Sequence, residues 1–414
     1  MASPPTARVY LDYNATAPLR PEARAAALAA MDELGNPSSI HREGRGARGI
    51  VEEARRAVAE LVGAAPRDVV FTSGGTEAAN LALTPAIAAP GLAGPLARLI
   101  LAAGEHPSVL KGHRFAPEAT RLAPLGADGR LDLAALATIL DEENCPVMLA
   151  LQGANNETGV VQPVTEASAL VHERGGVVVC DAVQMAGRTD LSLAALGADF
   201  LILSAHKFGG PKGAGALVAA RGDLAIGAPL LRGGGQERGA RAGTENVAAI
   251  AGFGAAARAA GAERLVESAR LATLRDRLAA SALDCVPDAV VFGASAPRLP
   301  NTLCLAVPGV AASTLVIALD LAGVAVSAGS ACSSGKVARS HVLEAMGVAS
   351  DLAGGAIRLS LGWASQEADV ARFAEAFDHT IADLRRRRGA IKVARGRAGN
   401  RLRHYMSRVS ARLC

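Results

Sequence analysis

Close cysteine pairs, a secretory leader and long apolar runs are all missing from this sequence. Its six cysteines form no C-x-x-C pair, so neither a zinc ribbon nor a disulfide framework is indicated, and we expect a reducing compartment. The first residues, MASPPTARVYLDYNATAP, contain no apolar signal region. No run of eighteen uncharged apolar residues occurs, because LVIALDLAGVAV is short and is interrupted by Asp320. These absences predict a cytoplasmic protein that does not use a membrane.

Acidic residues are missing from the C-terminal end. From Arg385 onward the chain has eleven Lys or Arg residues and no Asp or Glu. The rest of the chain therefore has an excess of acidic residues beside a basic tail. The spacing of Leu402, Met406, Val409 and Leu413 places them on one face of a helix. The tail is predicted to be either an amphipathic helix that docks on an acidic surface or a solvated basic end, and only through it do we expect contact with nucleic acid.

An alternation of short apolar runs with helical patterns fills most of the chain. The runs end in polar or glycine-rich sequence: DVVFTSG, ARLILAAGEH, PVMLALQGANN, GVVVCDAVQ, DFLILSAHK and GALVAA. This alternation predicts an α/β protein whose mostly parallel sheet is buried on both faces. After about residue 265 strands and helices mix, as in a smaller α+β domain. We predict a large domain over 16–262, a small domain formed by 1–15 and 263–388, and a tail over 389–414.

Polar groups follow these runs at the carboxyl ends of the predicted strands, where α/β sheets bind ligands. In SGGTE, Gly75 and Thr76 lie between a strand and a helix, which suits an anion bound by helix N–H groups. Asp181 follows the buried run GVVVC and needs a cationic partner. Lys207 ends another strand, where a buried amine readily forms a Schiff base. A phosphate cradle, a carboxylate and a lysine are together what pyridoxal phosphate requires.

Seven sequence blocks, in order, resemble those of the cysteine desulfurases. The blocks are FTSGGTEAANLAL, GEHPSVL, ANNETGVVQPV, DAVQ, SAHKFGGPKG, GGGQERGARAGTENV and SAGSACSSG. The resemblance extends from VYLDYNATAP to IRLSLG and looks closest to the branch associated with nitrogenase iron–sulfur cluster supply. It implies pyridoxal-phosphate transferase fold type I, a pyridoxal 5'-phosphate cofactor, and conversion of L-cysteine to L-alanine.

The resemblance also implies which residues bind the cofactor. Lys207 would be the Schiff-base lysine and Asp181 the partner of the pyridinium nitrogen. Other residues would surround the ring and the phosphate: Gln184 and Asn156 at the ring's oxygen side, His106 stacked on the ring and moving protons, and Gly75, Thr76, Ser204 and His206 at the phosphate. Thr244 would reach the phosphate of the neighbouring subunit, which implies a homodimer.

On the substrate side, the resemblance implies that Arg358 binds the carboxylate by a bidentate contact, with Asn14 and Asn156 beside the substrate. Cys332, in GSACSSGK, resembles the family's nucleophile. Its thiolate would attack the substrate sulfur, leaving alanine and a persulfide. The glycine and serine neighbours suit a loop that carries sulfur to an iron–sulfur scaffold or another acceptor protein. Cys332 is also a candidate transient ligand of an iron–sulfur cluster, whereas no metal is expected at the pyridoxal site.

Several alternatives stay open at this point. His106 is alternatively a histidine with a structural role only, and the same alternative holds for Asp12. Lys212 is the alternative to Lys207 as the Schiff-base lysine. Selenocysteine lyase shares the fold and cofactor, and turnover on both amino acids would separate the two activities. An ordinary aminotransferase would need an α-keto acid acceptor and would not need Cys332.

Overall fold

The computed structural model describes residues 8–89, 91–92, 94–329 and 339–386. The strands are β1 (Val9–Tyr10), β2 (Val69–Thr72), β3 (Ile87–Ala88), β4 (Arg98–Ala102), β5 (Thr120–Ala123), β6 (Val147–Gln152), β7 (Val177–Asp181), β8 (Phe200–Ser204), β9 (Gly215–Ala219), β10 (Ala225–Ile226), β11 (Val290–Val291), β12 (Thr302–Ala306), β13 (Val324–Ala325), β14 (Ser327–Ala328) and β15 (Ala356–Ser360).

The helices are α1 (Pro21–Asp32), α2 (Arg42–Val62), α3 (Gly75–Ala82), α4 (Pro107–Leu110), α5 (Leu133–Asp141), α6 (Val164–His172), α7 (Leu193–Leu196), α8 (Val247–Cys285), α9 (Ala312–Leu321), α10 (His341–Ala345) and α11 (Ser350–Ala353). Residues 367–386 are also helical. None of the helices in these ranges is both long and apolar enough to cross a bilayer. The predicted tail over 389–414 lies outside the described residues.

A seven-stranded sheet in the order β2-β9-β8-β7-β6-β4-β5 forms the larger part. Its strands are parallel from β8 to β5, and β9 runs antiparallel to both of its neighbours. Side chains along each strand alternate between two cores: Leu149 and Leu151 face one, and Met148 and Ala150 face the other. Burying each Leu or Met side chain contributes about 1.5–3 kcal/mol. The predicted α/β fold, with a mostly parallel sheet buried on both faces, is confirmed.

A smaller antiparallel sheet, in the order β11-β12-β15-β14, lies in the C-terminal part. The N-terminal strand β1 pairs with β13 beside it. The 39-residue helix α8 joins the two parts, because its residues up to Ala260 pack in the core of the large sheet and those from Leu271 pack in the core of the small one. The predicted boundary after residue 262 falls inside this helix, and the division into domains stays a prediction.

The glycines that follow α1 and α2 have different roles. Helix α2 ends before Gly63, which adopts a left-handed φ of 67° and donates its N–H back to the last turn. Helix α1 ends at Asp32, three residues before Gly35. A Cβ at Gly35 would lie 2.2 Å from the Glu43 carbonyl oxygen, so this glycine serves a close backbone contact instead.

Two residues with side chains adopt left-handed backbone conformations next to each other. Glu237 has a φ of 47° and Arg238 a φ of 56°. Such conformations cost free energy and persist only where the surrounding structure holds them. The Glu237 carboxylate is buried and accepts two hydrogen bonds from Arg55, at 2.7 and 2.8 Å. It also accepts the Phe71 N–H at 3.0 Å. These contacts attach the segment before Thr244 to strand β2.

Candidate active site

A cavity of about 490 Å³ lies at the carboxyl ends of β4, β6, β7 and β8, within the range of about 300–1,000 Å³ usual for small-molecule sites. Most of the residues named from the sequence line it: Asn14, Gly75, Thr76, His106, Asn156, Asp181, Gln184, Ser204, His206, Lys207 and Arg358. Thr244 instead lines an adjoining cavity of about 130 Å³, which shares Ser73 and Gly213 with the first. Cys332 lies outside the described residues.

Lys207 ends the 3-10 turn Ala205–Lys207 that follows β8. Its Nζ donates to the carbonyl oxygens of Asn14 at 2.7 Å and of Ala15 at 3.0 Å. The backbone carbonyl of Lys207 accepts a hydrogen bond from Arg188 Nη2 at 2.9 Å. The amine is therefore held at the cavity by a segment from the start of the chain.

Asp181 is the last residue of β7, and its Oδ1 accepts the Val183 N–H at 3.0 Å. Burial raises the pKa of Asp181 to about 6, although the Lys207 ammonium opposes this shift. A cationic partner in the cavity would therefore stabilise its charged form. Gln184, one turn further, donates from Nε2 to the Asn14 carbonyl at 3.1 Å.

Arg188 supports this wall of the cavity and was missed by the sequence reasoning. It is buried and donates to the side-chain oxygen of Gln184. Burial and, to a smaller extent, the positive charge of Arg358 together lower the pKa of Arg188 to about 9. Its position four residues after Gln184 in DAVQMAGR was the available signal, since that spacing places both residues on one side of a helical turn.

His106 caps the short helix α4: its Nδ1 accepts the Ser108 N–H at 3.1 Å. Burial lowers the pKa of His106 to about 4, and the positive charges of Lys207 and His341 act in the same direction. The ring is therefore neutral near pH 7. Because Nδ1 accepts, the ring hydrogen lies on Nε2. His106 thus has a structural contact as well as a place in the cavity wall.

The start of helix α3 forms a cradle for an anion. No side chain caps its first turn, so the N–H groups there are available to a ligand. A Cβ on Gly75 would lie 3.1 Å from Val183 Cγ2 and 3.4 Å from Ser204 Cβ, which explains the glycine where the helix meets these walls. Lys212 also lines the cavity and supplies positive charge.

His206 also lines the cavity. Its Nδ1 is 3.2 Å from Thr16 Oγ1. The pKa of His206 is lowered to about 4, mainly by burial and to a smaller extent by the positive charges of Lys207 and Lys212. This ring is therefore also neutral near pH 7. A neutral imidazole can meet an anion only as a hydrogen-bond donor.

Arg358, on β15, enters the cavity from the small sheet and is 2% exposed. Its Nη2 donates to Asp12 Oδ1 at 2.8 Å and its Nη1 to the Asn156 carbonyl at 3.1 Å. Its Nε has no hydrogen-bond partner among the described residues. Asp12 therefore orients this guanidinium, a role that the sequence did not reveal because the two residues are 346 positions apart.

The Asn14 amide is engaged with protein groups. Its Nδ2 donates to the Asn156 carbonyl at 3.1 Å and to Thr302 Oγ1 at 2.9 Å, and its Oδ1 accepts from Asn301 at 3.0 Å. Since both hydrogens and the oxygen have partners, Asn14 shapes the site mainly through its backbone carbonyl, which accepts from Lys207 and Gln184.

These groups suit pyridoxal phosphate: an amine for covalent attachment, a carboxylate to pair with the pyridine nitrogen, and helix N–H groups to bind a phosphate. The fold and the cavity together define a pyridoxal-phosphate-dependent enzyme of fold type I.

Comparisons with known proteins narrow this class. The aminotransferase class-V family model matches residues 9–373. A cysteine desulfurase of Cereibacter sphaeroides is 43% identical over 91% of this chain and 97% of its own length. An IscS-like cysteine desulfurase of Mycobacterium tuberculosis is 39% identical over 93% of this chain and 98% of its own. The solved structure of a NifS-like protein from Rickettsia africae superposes with a TM-score of 0.82 at 32% identity, covering 91% of this chain and 99% of that one. The chain belongs to the cysteine desulfurase family within class-V aminotransferases.

Proposed function

We propose that the protein transfers the sulfur of L-cysteine to Cys332 as a persulfide and releases L-alanine. The supporting observation is that the amine of Lys207 and the guanidinium of Arg358 line one cavity together with the α3 anion cradle. An amino acid has a carboxylate for the guanidinium, and the lysine and the cradle suit the cofactor.

The residues of the cavity have distinct roles in holding the cofactor. Lys207 would hold it covalently through Nζ, and Asp181 would pair with its ring nitrogen. Other residues that line the cavity would contact the rest of the cofactor: Asn156, Gln184 and His106 at the ring, and Gly75, Thr76, Ser204 and His206 at the phosphate. When bound, pyridoxal phosphate withdraws electrons from the amino acid joined to it, which makes the bond between carbon and sulfur easier to break.

The substrate carboxylate binds Arg358, whose orientation Asp12 and the Asn156 carbonyl fix. The Cys332 thiolate attacks the substrate sulfur, and a sulfur–sulfur bond forms as the carbon–sulfur bond breaks. The electron pair stays with the carbon, which takes up a proton to give alanine. His106, which is neutral and has its hydrogen on Nε2, is placed to hold or pass a proton at the cavity wall.

We further propose a cytoplasmic homodimer that delivers sulfur to an iron–sulfur scaffold, with nitrogenase maturation as the pathway suggested by the sequence resemblance. In the homodimer Thr244 contributes to the phosphate site of the neighbouring subunit. The position of Thr244 outside the main cavity of its own chain supports this assignment. Sedimentation of the holoenzyme tests the dimer, and restored nitrogenase activity in a strain that lacks the gene tests the pathway.

The test of the proposed function is Cys332→Ser in the holoenzyme. We expect alanine production and protein persulfide to fall to background while the visible absorbance of the bound cofactor remains, because the thiol and the cofactor site are separate parts of the enzyme. Mass spectrometry after addition of L-cysteine should find the extra sulfur on Cys332 of the wild type. Cys285→Ser is the matched control, since Cys285 lies at the end of α8, away from the cavity. Extra sulfur on Cys180 or Cys304 would contradict the proposal.

A further inference from the structure

Glu157 is a buried carboxylate that the proposed function does not use. It follows Asn156 at the carboxyl end of β6 and is 4% exposed. Its Oε2 accepts a hydrogen bond from Ser340 Oγ at 2.5 Å, and Ser340 is 2% exposed. A buried carboxyl group needs such partners, because its burial without them costs roughly several kcal/mol. The contact therefore joins two parts of the chain 183 residues apart.

The same carboxylate oxygen lies beside Gly329. A Cβ built on Gly329 would lie 3.3 Å from Glu157 Oε2, a distance at which a side chain would press against the carboxylate. The backbone of Gly329 is fixed by its N–H, which donates to the Ala356 carbonyl at 2.9 Å. Ser340 is fixed as the N-cap of α10, because its Oγ accepts the Leu343 N–H at 3.1 Å. Gly329 and Ser340 stand on either side of residues 330–338, which include Cys332.

A second contact fixes the side of Ser340. His341 Nε2 is 2.9 Å from the backbone carbonyl of Glu105, the residue before His106. The start of α10 is thus attached to the ends of two parallel strands of the large sheet, β6 through Glu157 and β4 through Glu105. Both strand ends also carry residues that line the cavity, Asn156 and His106.

The charge around Glu157 supports a close hydrogen bond instead of an ion pair. Burial raises the pKa of Glu157 to about 7, against the opposing effects of the Ser340 hydroxyl and the Arg358 guanidinium. A carboxyl group that is partly protonated near neutral pH can both accept from and donate to its neighbours. Gln has the same shape and similar hydrogen-bonding groups, whereas Ala has neither.

We propose that Glu157 is a positioning residue: it binds Ser340 on one side of the segment bearing Cys332, lies close to Gly329 on the other side, and thereby sets how the Cys332 thiol meets the substrate sulfur. The inference rests on the proposed function, because it needs Cys332 as the nucleophile. It assigns Glu157 no contact with substrate or cofactor.

The test compares Glu157→Ala, Glu157→Gln and Ser340→Ala in the holoenzyme. Single-turnover mixing with L-cysteine measures persulfide formation on Cys332, and steady-state alanine production gives kcat and KM. We expect Glu157→Ala to slow persulfide formation at least about tenfold, in line with the sensitivity of bond formation to small misplacement. We expect KM and cofactor content to stay within about twofold of wild type, since Lys207 and Arg358 keep their own partners. Glu157→Gln should recover most of the rate.

Ser340→Ala removes the donor of the same hydrogen bond and leaves the Glu157 carboxyl group in place. This variant therefore tests the proposal even if Glu157→Ala fails to fold. Glu344→Ala is the matched control, because Glu344 is an exposed carboxylate on the same helix α10. Wild-type persulfide rates in Glu157→Ala or in Ser340→Ala would overturn the proposal. Equal losses of cofactor content and rate in Glu157→Gln would overturn it too, because they would indicate a merely structural role. Absence of persulfide on Cys332 of the wild type would instead refute the proposed function itself.

Discussion

Lys207 and Lys212 both line the cavity, but the residues around them differ. The Lys207 amine donates to two backbone carbonyls from the N-terminal segment, and its own carbonyl is held by Arg188. Lys212 lies five residues further along the chain, beyond the end of β8, and lines the same cavity. Such positions suit covalent attachment for the first lysine and charge compensation for the second.

We therefore expect Lys207→Ala to lose the covalent link to the cofactor and Lys212→Ala to keep it. Borohydride reduction of the loaded protein followed by mass spectrometry measures the link directly. Lys212→Ala should only weaken cofactor binding, through the lost attraction to phosphate. A borohydride-stable adduct at full occupancy in Lys207→Ala would show that another amine holds the cofactor.

Residues at the ends of buried runs could be predicted from the sequence, but their partners could not. Asp181 and Lys207 could be identified because a charged group directly after an apolar strand needs a partner or a covalent attachment. The pairing of Asp12 with Arg358 could not be predicted, since the two residues are 346 positions apart and only folding brings them within 2.8 Å. Glu157 and Ser340 were missed for the same reason.

At the scale of elements, the buried pair of Arg55 and Glu237 holds a strained turn against β2. The pair has two hydrogen bonds, and the Arg55 guanidinium also lies 4.8 Å from the centre of the Phe71 ring. Removing one partner of a buried ion pair leaves an uncompensated charge. The left-handed conformations at Glu237 and Arg238 depend on these contacts.

Glu237→Ala should lower the free energy of unfolding by about 3–5 kcal/mol. Urea unfolding of the holoenzyme measures this change. Glu53→Ala is the control: Glu53 pairs with Arg56 and Arg258 on the surface, where ion pairs add little, so its curve should overlay the wild type. A small effect of Glu237→Ala would mean that the turn keeps its conformation without the buried pair.

Six strands of the large sheet could be predicted because each is a short apolar run, but β5 and the length of α8 could not. Its first half contains Gly252, Gly254 and Gly261, which have low helix propensity. Packing explains the first two. A Cβ on Gly252 would lie 2.5 Å from Pro211 Cγ, and one on Gly254 would lie 2.5 Å from Ala54 Cα in α2. The glycines let α8 approach its neighbours, so tertiary contacts outweigh propensity there.

At the scale of the whole molecule, α8 couples the two cores. Ala262→Pro, at an exposed position between the two buried stretches, should break the helix at a cost of about 3 kcal/mol. We expect thermal unfolding to show one transition in the wild type and two transitions in this variant. Calorimetry measures both, and Ala262→Ser is the control. A single transition in Ala262→Pro would show that contacts outside α8 are enough to couple the cores.

The contacts of Asp12 and Asn14 also determine when the active site becomes complete. Asp12 pairs with Arg358, and the Asn14 N–H donates to Ser360 Oγ at 2.9 Å. A ribosome releases Ser360 more than three hundred residues after Asn14, at about 5–20 residues per second. Until then the carbonyls that hold the Lys207 amine are not fixed. Cofactor loading therefore has to wait for the synthesis of β15, and a polypeptide that ends before Ser360 has no complete site to offer.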